Sequence, residues 1–200
     1  GITAGGDLTL TAGTLDAATL SADGLIAGNV SGTATLGSAI AGTTLDFTAA
    51  SLTATNLQSA GDVTLTVADT AALGTVTSTG GSVFIDPALL TFDAIAADGG
   101  ITLAGGTITG GTLDAGAGIT VTATGALTLA SATAGTTMTL GADSLQAGAL
   151  DVGGDLALTV TNGAVLTGAV TSGGNVSAGF GTLDFTTLDA GGLVSLEGGD

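Results

Sequence analysis

Apolar residues recur once every 18 to 20 positions along this chain. We call these residues anchors, and they are Leu8, Ile26, Leu45, Val63, Val83, Ile101, Ile119, Met138, Leu156, Val176 and Val194. The intervals between them run 18, 19, 18, 20 and 18 residues and then repeat in the same order, so that each set of five spans 93 residues. A unit this short cannot bury an apolar face by itself and must stack on its neighbours. The pattern therefore predicts a solenoid.

Most anchors are followed two positions later by a second apolar residue, as in Val63 and Leu65 or Ile101 and Leu103. A period of two places both side chains on one face of a β-strand and turns the residue between them to the other face. The residues expected to face outward are Thr9, Asp46, Thr64, Thr102, Thr120, Thr139 and Ala157.

Further apolar clusters complete each unit, as in Thr14-Leu15-Asp16 and Ala18-Thr19-Leu20. Two or three short strands with turns make one coil of an all-β fold, a parallel β-helix with 18–20 residues per rung. Eleven anchors predict about eleven rungs, stacked about 4.8 Å apart into a rod of roughly 50 Å. Coils of 19 and 20 residues, without a steady six-residue step, favour the right-handed form over the left-handed alternative.

The 93-residue interval predicts a super-repeat of five rungs. We interpret 1–200 as a single β-solenoid segment, with copies at about 1–93 and 94–186 and a third copy beginning over 187–200. Thr167 is an apparent insertion relative to the first copy, and Thr79 has no counterpart in the second. Both ends of the sequence fall inside a repeat, so we expect the segment to belong to a longer array.

Composition supports a packed fold and narrows its partners. Hydrophobic residues make up 44% of the chain and charged residues 8%, which is the reverse of a disordered composition. No run of 18 apolar residues occurs, so no membrane insertion is expected. The chain has 17 acidic residues and no Lys, Arg or His. Because phosphate binding needs cationic side chains, nucleic acid is not an expected partner.

The residue types that most enzymes use are missing. Without His or Cys, only carboxylates remain to activate the many Ser and Thr hydroxyls. Asp184 and Asp189 stand five residues apart in two Thr-Leu-Asp motifs, but we expect no enzyme, and we assign no catalytic, cofactor-binding or metal-binding residue. Fragments such as Asp98-Gly99-Gly100 and Gly153-Gly154-Asp155 do not repeat as a calcium motif would, so we expect no cofactor beyond Ca²⁺ held loosely by surface Asp.

The segments Gly6-Asp7-Leu8-Thr9-Leu10-Thr11-Ala12-Gly13 and Ala60-Gly61-Asp62-Val63-Thr64-Leu65-Thr66-Val67 resemble the repeats of the filamentous haemagglutinin family. These are large bacterial exoproteins of two-partner secretion, and autotransporter passengers are similar. The resemblance covers the chain in composition and period, and it implies a right-handed parallel β-helix at the cell surface or outside the cell. The amino-terminal secretion module of that family, with its Asn-Pro motifs, is not in this sequence.

We therefore expect a structural repeat segment of a bacterial extracellular fibre or adhesin stalk, acting as a rigid spacer. Its expected partners are further repeats or copies of itself joined end to end, with lateral contacts aided by divalent cations. The alternative is a binding module, because flat threonine arrays on β-solenoids can bind ice and related surfaces can bind glycans.

Overall fold

The computed structural model describes residues 1–199, and within them the chain forms seventeen β-strands and no helix. Every pairing between these strands is parallel. The strands are β1 (Ile2–Ala4), β2 (Leu8–Ala12), β3 (Leu15–Ala22), β4 (Ile26–Ala41), β5 (Leu45–Ser59), β6 (Val63–Val67), β7 (Thr70–Ser78), β8 (Val83–Asp86), β9 (Leu89–Ala97), β10 (Ile101–Gly105), β11 (Thr107–Ala115), β12 (Ile119–Ala123), β13 (Ala126–Ala134), β14 (Met138–Val152), β15 (Leu156–Ser172), β16 (Val176–Ala190) and β17 (Val194–Gly198).

The anchors stack in one continuous ladder, as the sequence predicted. Each anchor pairs in parallel register with the next one, from Leu8 opposite Ile26 to Val176 opposite Val194. The backbone N–H of every anchor from Leu8 to Val176 donates to the carbonyl of the residue that precedes the next anchor, over 2.8 to 3.0 Å. This unbroken ladder, which we call the first ladder, confirms the parallel β-solenoid of about eleven coils.

Two further ladders close each coil. The second ladder runs through Leu15, Ala34, Leu52, Ala71, Leu90, Ile108, Leu127, Leu145, Ala164 and Leu183. The third ladder runs through Ile2, Leu20, Ala39, Leu57, Val76, Ile95, Leu113, Ala132, Leu150, Val170 and Leu188. Each coil therefore has three strand segments, and the second and third run together in strands such as β3 and β9.

Differences in coil length are absorbed where one ladder passes to the next. Thr167 lies in a bulge of β15, because the register shifts between Leu166 and Ala169 against β16. Thr79 lengthens the turn between β7 and β8, where Ser78 and Val83 are five residues apart although their partners Ser59 and Val63 are four apart. Both positions are the ones that the sequence comparison of the two copies indicated.

The interior is filled by the side chains that alternate inward along each segment. Ile26, Leu45, Val63 and Val83 in the first ladder are at most 1% exposed. Each such buried aliphatic side chain stabilises the fold by about 1.5–3 kcal/mol relative to solvent. A one-residue slip of any strand would reverse its inward and outward faces, so the core fixes the register.

Two glycines make room for phenylalanine rings inside the coil. A β-carbon on Gly28 would lie against the ring of Phe47 in the next coil, and one on Gly110 would lie against the ring of Phe92 in the preceding coil. Phe47 and Phe92 are both buried. This packing explains why Ile26 lacks the apolar partner that most anchors have two positions later.

Glycines at the corners have a steric purpose. Gly116, Gly135, Gly153, Gly173 and Gly191 follow the third ladder in successive coils, and a β-carbon on each would collide with a backbone carbonyl of the coil before it. No residue in the described part of the chain has a positive φ angle. Glycine is therefore needed in these five coils because neighbouring backbones approach closely, and no unusual dihedral angle is involved. In other coils the equivalent position holds Asp23, Thr79 and Asp98, so the requirement is local.

Three buried serines complete the core. Ser59, Ser78 and Ser172 lie at the inward end of the third ladder, and their hydroxyls donate to the carbonyls of Thr43, Gly61 and Gly154 over 2.7 to 2.8 Å. Ser78 and Ser172 are 94 residues apart, one more than the super-repeat, because Thr167 is inserted before Ser172. The position of the Ser172 hydroxyl is therefore consistent with the insertion at Thr167 that the strand register shows.

Candidate functional site

The acidic side chains are spread over the surface. Asp184 and Asp189 lie outward on the second and third ladders, opposite Val165 and Thr171, so they point from different segments of the coil. Both are exposed. A catalytic pair of carboxylates would have to face one point between them, whereas these two project from separate strand segments.

One set of Asp residues has a defined structural purpose. Asp7, Asp62 and Asp155 each precede an anchor, and their Oδ1 atoms accept the backbone N–H of Leu25, Ser82 and Asn175 over 3.0, 2.8 and 2.7 Å. In each case the donor is the residue that precedes the next anchor. The carboxylate therefore caps the backbone of the following coil.

Neutral side chains act in the same way at two other coils. Ser82 Oγ accepts the N–H of Gly100 over 3.1 Å, and Asn175 Oδ1 accepts the N–H of Leu193 over 2.9 Å. A cap at this position therefore uses a hydrogen-bond acceptor and does not need a negative charge, while coils with Leu25 or Gly118 at this position have no side-chain cap. The Asp residues before the anchors are turn-capping groups, as the Gly-Asp pattern indicated.

The calcium-like fragments do not converge on a common point. Across residues 1–199, no three acidic side chains lie close enough together to hold a metal ion. Asp155, in the fragment Gly153-Gly154-Asp155, is already hydrogen-bonded to the backbone of the next coil. The geometry therefore supplies no preformed cage of carboxylates, which is what a specific calcium site would need.

Shallow grooves run along the outside of the solenoid. The wider one, about 680 Å³, follows the corner after the first ladder and is lined mainly by small side chains around Pro87 and Gly105. Another, about 450 Å³, lies over the second ladder beside Phe92 and Asp93. Each groove is lined by several Thr side chains and one carboxylate, Asp86 in the wider groove and Asp93 in the other, among small apolar side chains.

The first ladder presents a short threonine column. Thr102, Thr120 and Thr139 are in register over three coils and are exposed. Phe84 precedes this run and Ala157 follows it in the same column. All seven positions that the sequence placed outward are exposed or half-buried.

A longer threonine column on the second ladder was missed by sequence reasoning. The outward positions there are Thr35, Thr53, Ala72, Thr91, Thr109 and Thr128, in register over six coils. All six are exposed or half-buried. The signal was present as Thr residues following Ala34, Leu52, Leu90, Ile108 and Leu127, but the variable corner before them hid the common register.

Side chains hydrogen-bond between coils on the third ladder as well. Asn56 Nδ2 donates to Ser38 Oγ over 3.2 Å, and Thr75 Oγ1 donates to Asn56 Oδ1 over 3.0 Å. The run covers only three coils.

The last coils expose residues that are buried elsewhere. Val194 and Leu196 of β17 are 50% and 42% exposed, and Phe185 is 41% exposed, although their equivalents in earlier coils are buried. The inward faces at this end therefore present apolar side chains together with an unpaired strand edge.

Comparison with protein-family models, curated proteins and solved structures finds no match for the chain. Within residues 1–199 there is also no helix long and apolar enough to cross a membrane. The description of function therefore rests on the geometry of this solenoid and on the character of its surface.

Proposed function

We propose that the chain is a rigid rod segment of a bacterial extracellular fibre or surface adhesin stalk. The observation that carries this proposal is the first ladder, whose hydrogen bonds run without a break from Leu8 to Leu193. A continuous ladder with a continuous aliphatic interior resists bending, because a bend would have to separate stacked strands and open the core. Such a rod holds two points at a fixed distance.

The surface supports a spacer better than an enzyme. The grooves are shallow, the carboxylates point from different segments, and the chain has no His, Cys, Lys or Arg to complete a reacting group. With 17 acidic residues and no basic ones, the rod repels copies of itself side to side at low salt. The charge keeps an apolar-rich solenoid dispersed.

The regular ladder allows growth along the axis, because each coil offers the next one the same strand edges and apolar column. An unpaired edge with apolar side chains is a template for further strands. Another coil placed over Val194 and Leu196 would bury both side chains and satisfy the free backbone groups. We propose that this coil comes from further repeats in the same array or from another copy joined end to end.

A change in the number of coils tests the spacer function. Duplicating one 93-residue super-repeat adds five coils, so the rod should lengthen by about 24 Å at about 4.8 Å per coil. Small-angle X-ray scattering measures both the length and the cross-sectional radius of the rod. We expect the duplicated chain to be longer and to have the same cross-sectional radius as the original chain. A compact particle of unchanged length would contradict the rod.

The proposed location is tested on native cells. Immunogold labelling in electron micrographs is expected to place the protein on fibres outside the cell or at its surface. Label confined to the cell interior would contradict the extracellular proposal while leaving the rod intact.

The second-ladder threonine column favours one further candidate, a binding surface for ice or glycans. Five Thr residues, of which four are exposed and Thr128 is half-buried, hold one position over six coils and form an array of hydroxyl and methyl groups. Ice binding would shape ice crystals and produce thermal hysteresis, which the Thr53→Lys and Thr109→Lys changes would abolish. Ordinary ice growth together with an empty glycan array would remove this candidate.

A further inference from the structure

The outward column of the third ladder carries carboxylates in alternate coils in the second half of the chain. Asp114 pairs with Thr133, Thr133 with Asp151, Asp151 with Thr171, and Thr171 with Asp189. All five side chains are exposed. Within residues 1–199, no hydrogen bond from the chain engages these three carboxylates. We call Asp114, Asp151 and Asp189 the acidic column.

The same outward column is uncharged in the first half of the chain, where it consists of Thr3, Ser21, Ile40, Gln58, Thr77 and Ala96. Ser21 lies 93 residues before Asp114, and Gln58 lies 93 residues before Asp151. Ala96 stands in the same relation to Asp189. These coils form the same ladder with neutral side chains, so the fold does not need the carboxylates. Their charge is therefore available for contact with a partner.

Small residues flank the acidic column on both sides. The positions two residues before its successive carboxylates and hydroxyls hold Thr112, Ser131, Ala149, Ala169 and Thr187, and the positions two residues after them hold Gly116, Gly135, Gly153, Gly173 and Gly191. All ten residues are exposed or half-buried. Because none of them is larger than threonine, an extended ligand that lies along the axis has access to all three carboxylates.

A groove opens at the first end of the acidic column. It has a volume of about 290 Å³ and is lined by two carboxylates, Asp98 and Asp114, among small residues that include Thr77, Ala96 and Gly116. The chain has no Lys, Arg or His with which either carboxylate could pair. A ligand that occupies this groove and continues along the column must therefore bring the positive charge itself, because complementary charge selects the partner and its register.

The spacing of the carboxylates favours one conformation of the ligand. Coils stack about 4.8 Å apart, so carboxylates in alternate coils recur about every 9.6 Å. A polyproline II helix has three residues per turn and rises about 3.1 Å per residue, so its side chains return to the same edge about every 9.3 Å. Over three carboxylates the two repeats differ by only about 0.6 Å.

Other regular conformations fit the column less well. An α-helix with basic residues seven positions apart repeats about every 10.5 Å, which differs from the column by about 1.8 Å over three carboxylates. Side chains on one face of an extended strand recur about every 6.7 Å and fall out of step with the carboxylates at once. The acidic column therefore matches a ligand with threefold periodicity.

We propose that the acidic column binds a cationic peptide in the polyproline II conformation, with Lys or Arg at every third position. The peptide lies along the axis of the solenoid with one basic side chain facing each carboxylate, and the first of these side chains enters the groove between Asp98 and Asp114. A polyproline II backbone has no internal hydrogen bonds, so its carbonyl groups are free to accept from the Thr133 and Thr171 hydroxyls. Because proline-rich peptides hold this conformation before binding, little entropy is lost.

The test measures binding of the heptapeptide Arg-Pro-Pro-Arg-Pro-Pro-Arg, with both ends capped, to the folded 200-residue chain by isothermal titration calorimetry in low-salt buffer. We expect one peptide to bind per chain, and added NaCl should weaken binding because exposed ion pairs are screened. The isomer Arg-Arg-Arg-Pro-Pro-Pro-Pro has the same charge without the spacing, and its Kd should be about threefold higher or more. Equal affinity for the two peptides would overturn the argument from spacing.

Two triple variants separate this site from general attraction to an acidic rod. Asp114→Asn, Asp151→Asn and Asp189→Asn together should raise the Kd of the heptapeptide about fivefold or more, since each exposed ion pair contributes modestly and three are lost. The matched control removes the same charge by changing three exposed carboxylates elsewhere on the rod to Asn, namely Asp16, Asp46 and Asp86. The control should raise the Kd by less than about twofold. Equal losses in the two variants would overturn the proposal.

The neutral half of the column provides a test by gain of binding. Ser21→Asp, Gln58→Asp and Ala96→Asp together reproduce the spacing of the acidic column five coils earlier, so the number of heptapeptides bound per chain should rise from one to two. An unchanged stoichiometry in this variant, with its fold verified by circular dichroism, would contradict the proposal. The length of the rod in solution scattering tests the spacer function separately, so a failure of peptide binding would leave that function intact.

Discussion

Gly110 and Phe92 show how single residues of this solenoid depend on the adjacent coil. The position equivalent to Gly110 is Leu129 in the following coil and Leu73 two coils earlier. The size of each side chain in this inward column is therefore limited by the side chains at the same position in the adjacent coils. The glycine is fixed by the ring above or below it and has an ordinary backbone conformation. The effect of a substitution at this position on stability should therefore be measured together with substitutions of its neighbour in the adjacent coil.

We expect Gly110→Ala to destabilise the fold by about 1–3 kcal/mol, because its β-carbon overlaps the Phe92 ring in a packed interior. The urea midpoint measures the change. Gly141→Ala is the matched control, since only the Val121 carbonyl oxygen lies near its β-carbon, at 3.8 Å. That control should be neutral or stabilising by about 0.5–1 kcal/mol. Phe92→Leu in the Gly110→Ala background should recover part of the loss, and a strictly additive double variant would contradict this account.

The caps before the anchors give a second residue-level prediction. Asp62→Ala removes the acceptor for the Ser82 N–H and should lower the stability by about 0.5–1.5 kcal/mol. Asp62→Asn should retain most of it, because Asn175 performs the same function in another coil. If both variants lose stability equally in urea titrations, the carboxylate charge matters and the cap does not.

At the scale of the strand, the alternation within a segment is strict, whereas the corners accept changes of length. The inward residues on either side of the second-to-third corner are three apart in most coils, as with Ala147 and Leu150, and four apart only where Thr167 is inserted. The corner carries the extra residue as a bulge, and the segments on both sides keep their inward faces. Insertions and deletions of one residue should therefore be tolerated at the corners and not within the strand segments.

Deletion of Thr167 is expected to change the stability by no more than about 1 kcal/mol, because the corner then has the length that other coils use. Deletion of Thr159, between inward Leu158 and Val160, reverses the alternation and turns core residues outward. Each ejected aliphatic side chain costs about 1.5–3 kcal/mol, so this variant should unfold its coils. Circular dichroism and urea titration compare the two, and equal losses would show that the corner is not adaptable.

At the scale of the whole molecule, the strongest features are the continuous axis and the charge. Seventeen acidic residues without a single basic one give a net charge of −17 along a rod of roughly 50 Å. Repulsion between such rods is long-ranged at low salt and is screened within about 10 Å at 0.1 M ionic strength. Side-to-side contact between rods should therefore depend on the ionic strength and on the kinds of cation in the solution.

We expect lateral association of the rods to depend on divalent cations, which can bridge carboxylates of two rods. Light scattering should rise with Ca²⁺ or Mg²⁺ and fall again on addition of chelator at low salt. NaCl at matched ionic strength is the control and should have a weaker effect, because it screens charge without bridging. Bundles that persist in chelator at low salt would contradict the prediction.

The sequence alone was enough to predict the pairing in the first ladder, because the anchors recur once per coil and can stack in only one register. The anchors, their 93-residue period and the positions of Thr79 and Thr167 could all be read from spacing. The second-ladder threonine column could not, since the corner before it varies in length and only the folded coil aligns the residues.

The sequence by itself determined that this chain is a stack of short parallel strands, because a period of two within an interval of 18 to 20 residues buries its apolar face only by stacking. Tertiary structure alone decided which small residues face rings and which acidic residues cap the next coil. These properties depend on contacts between residues about 18 to 20 positions apart. Such contacts exist only after each coil has closed on the one before it.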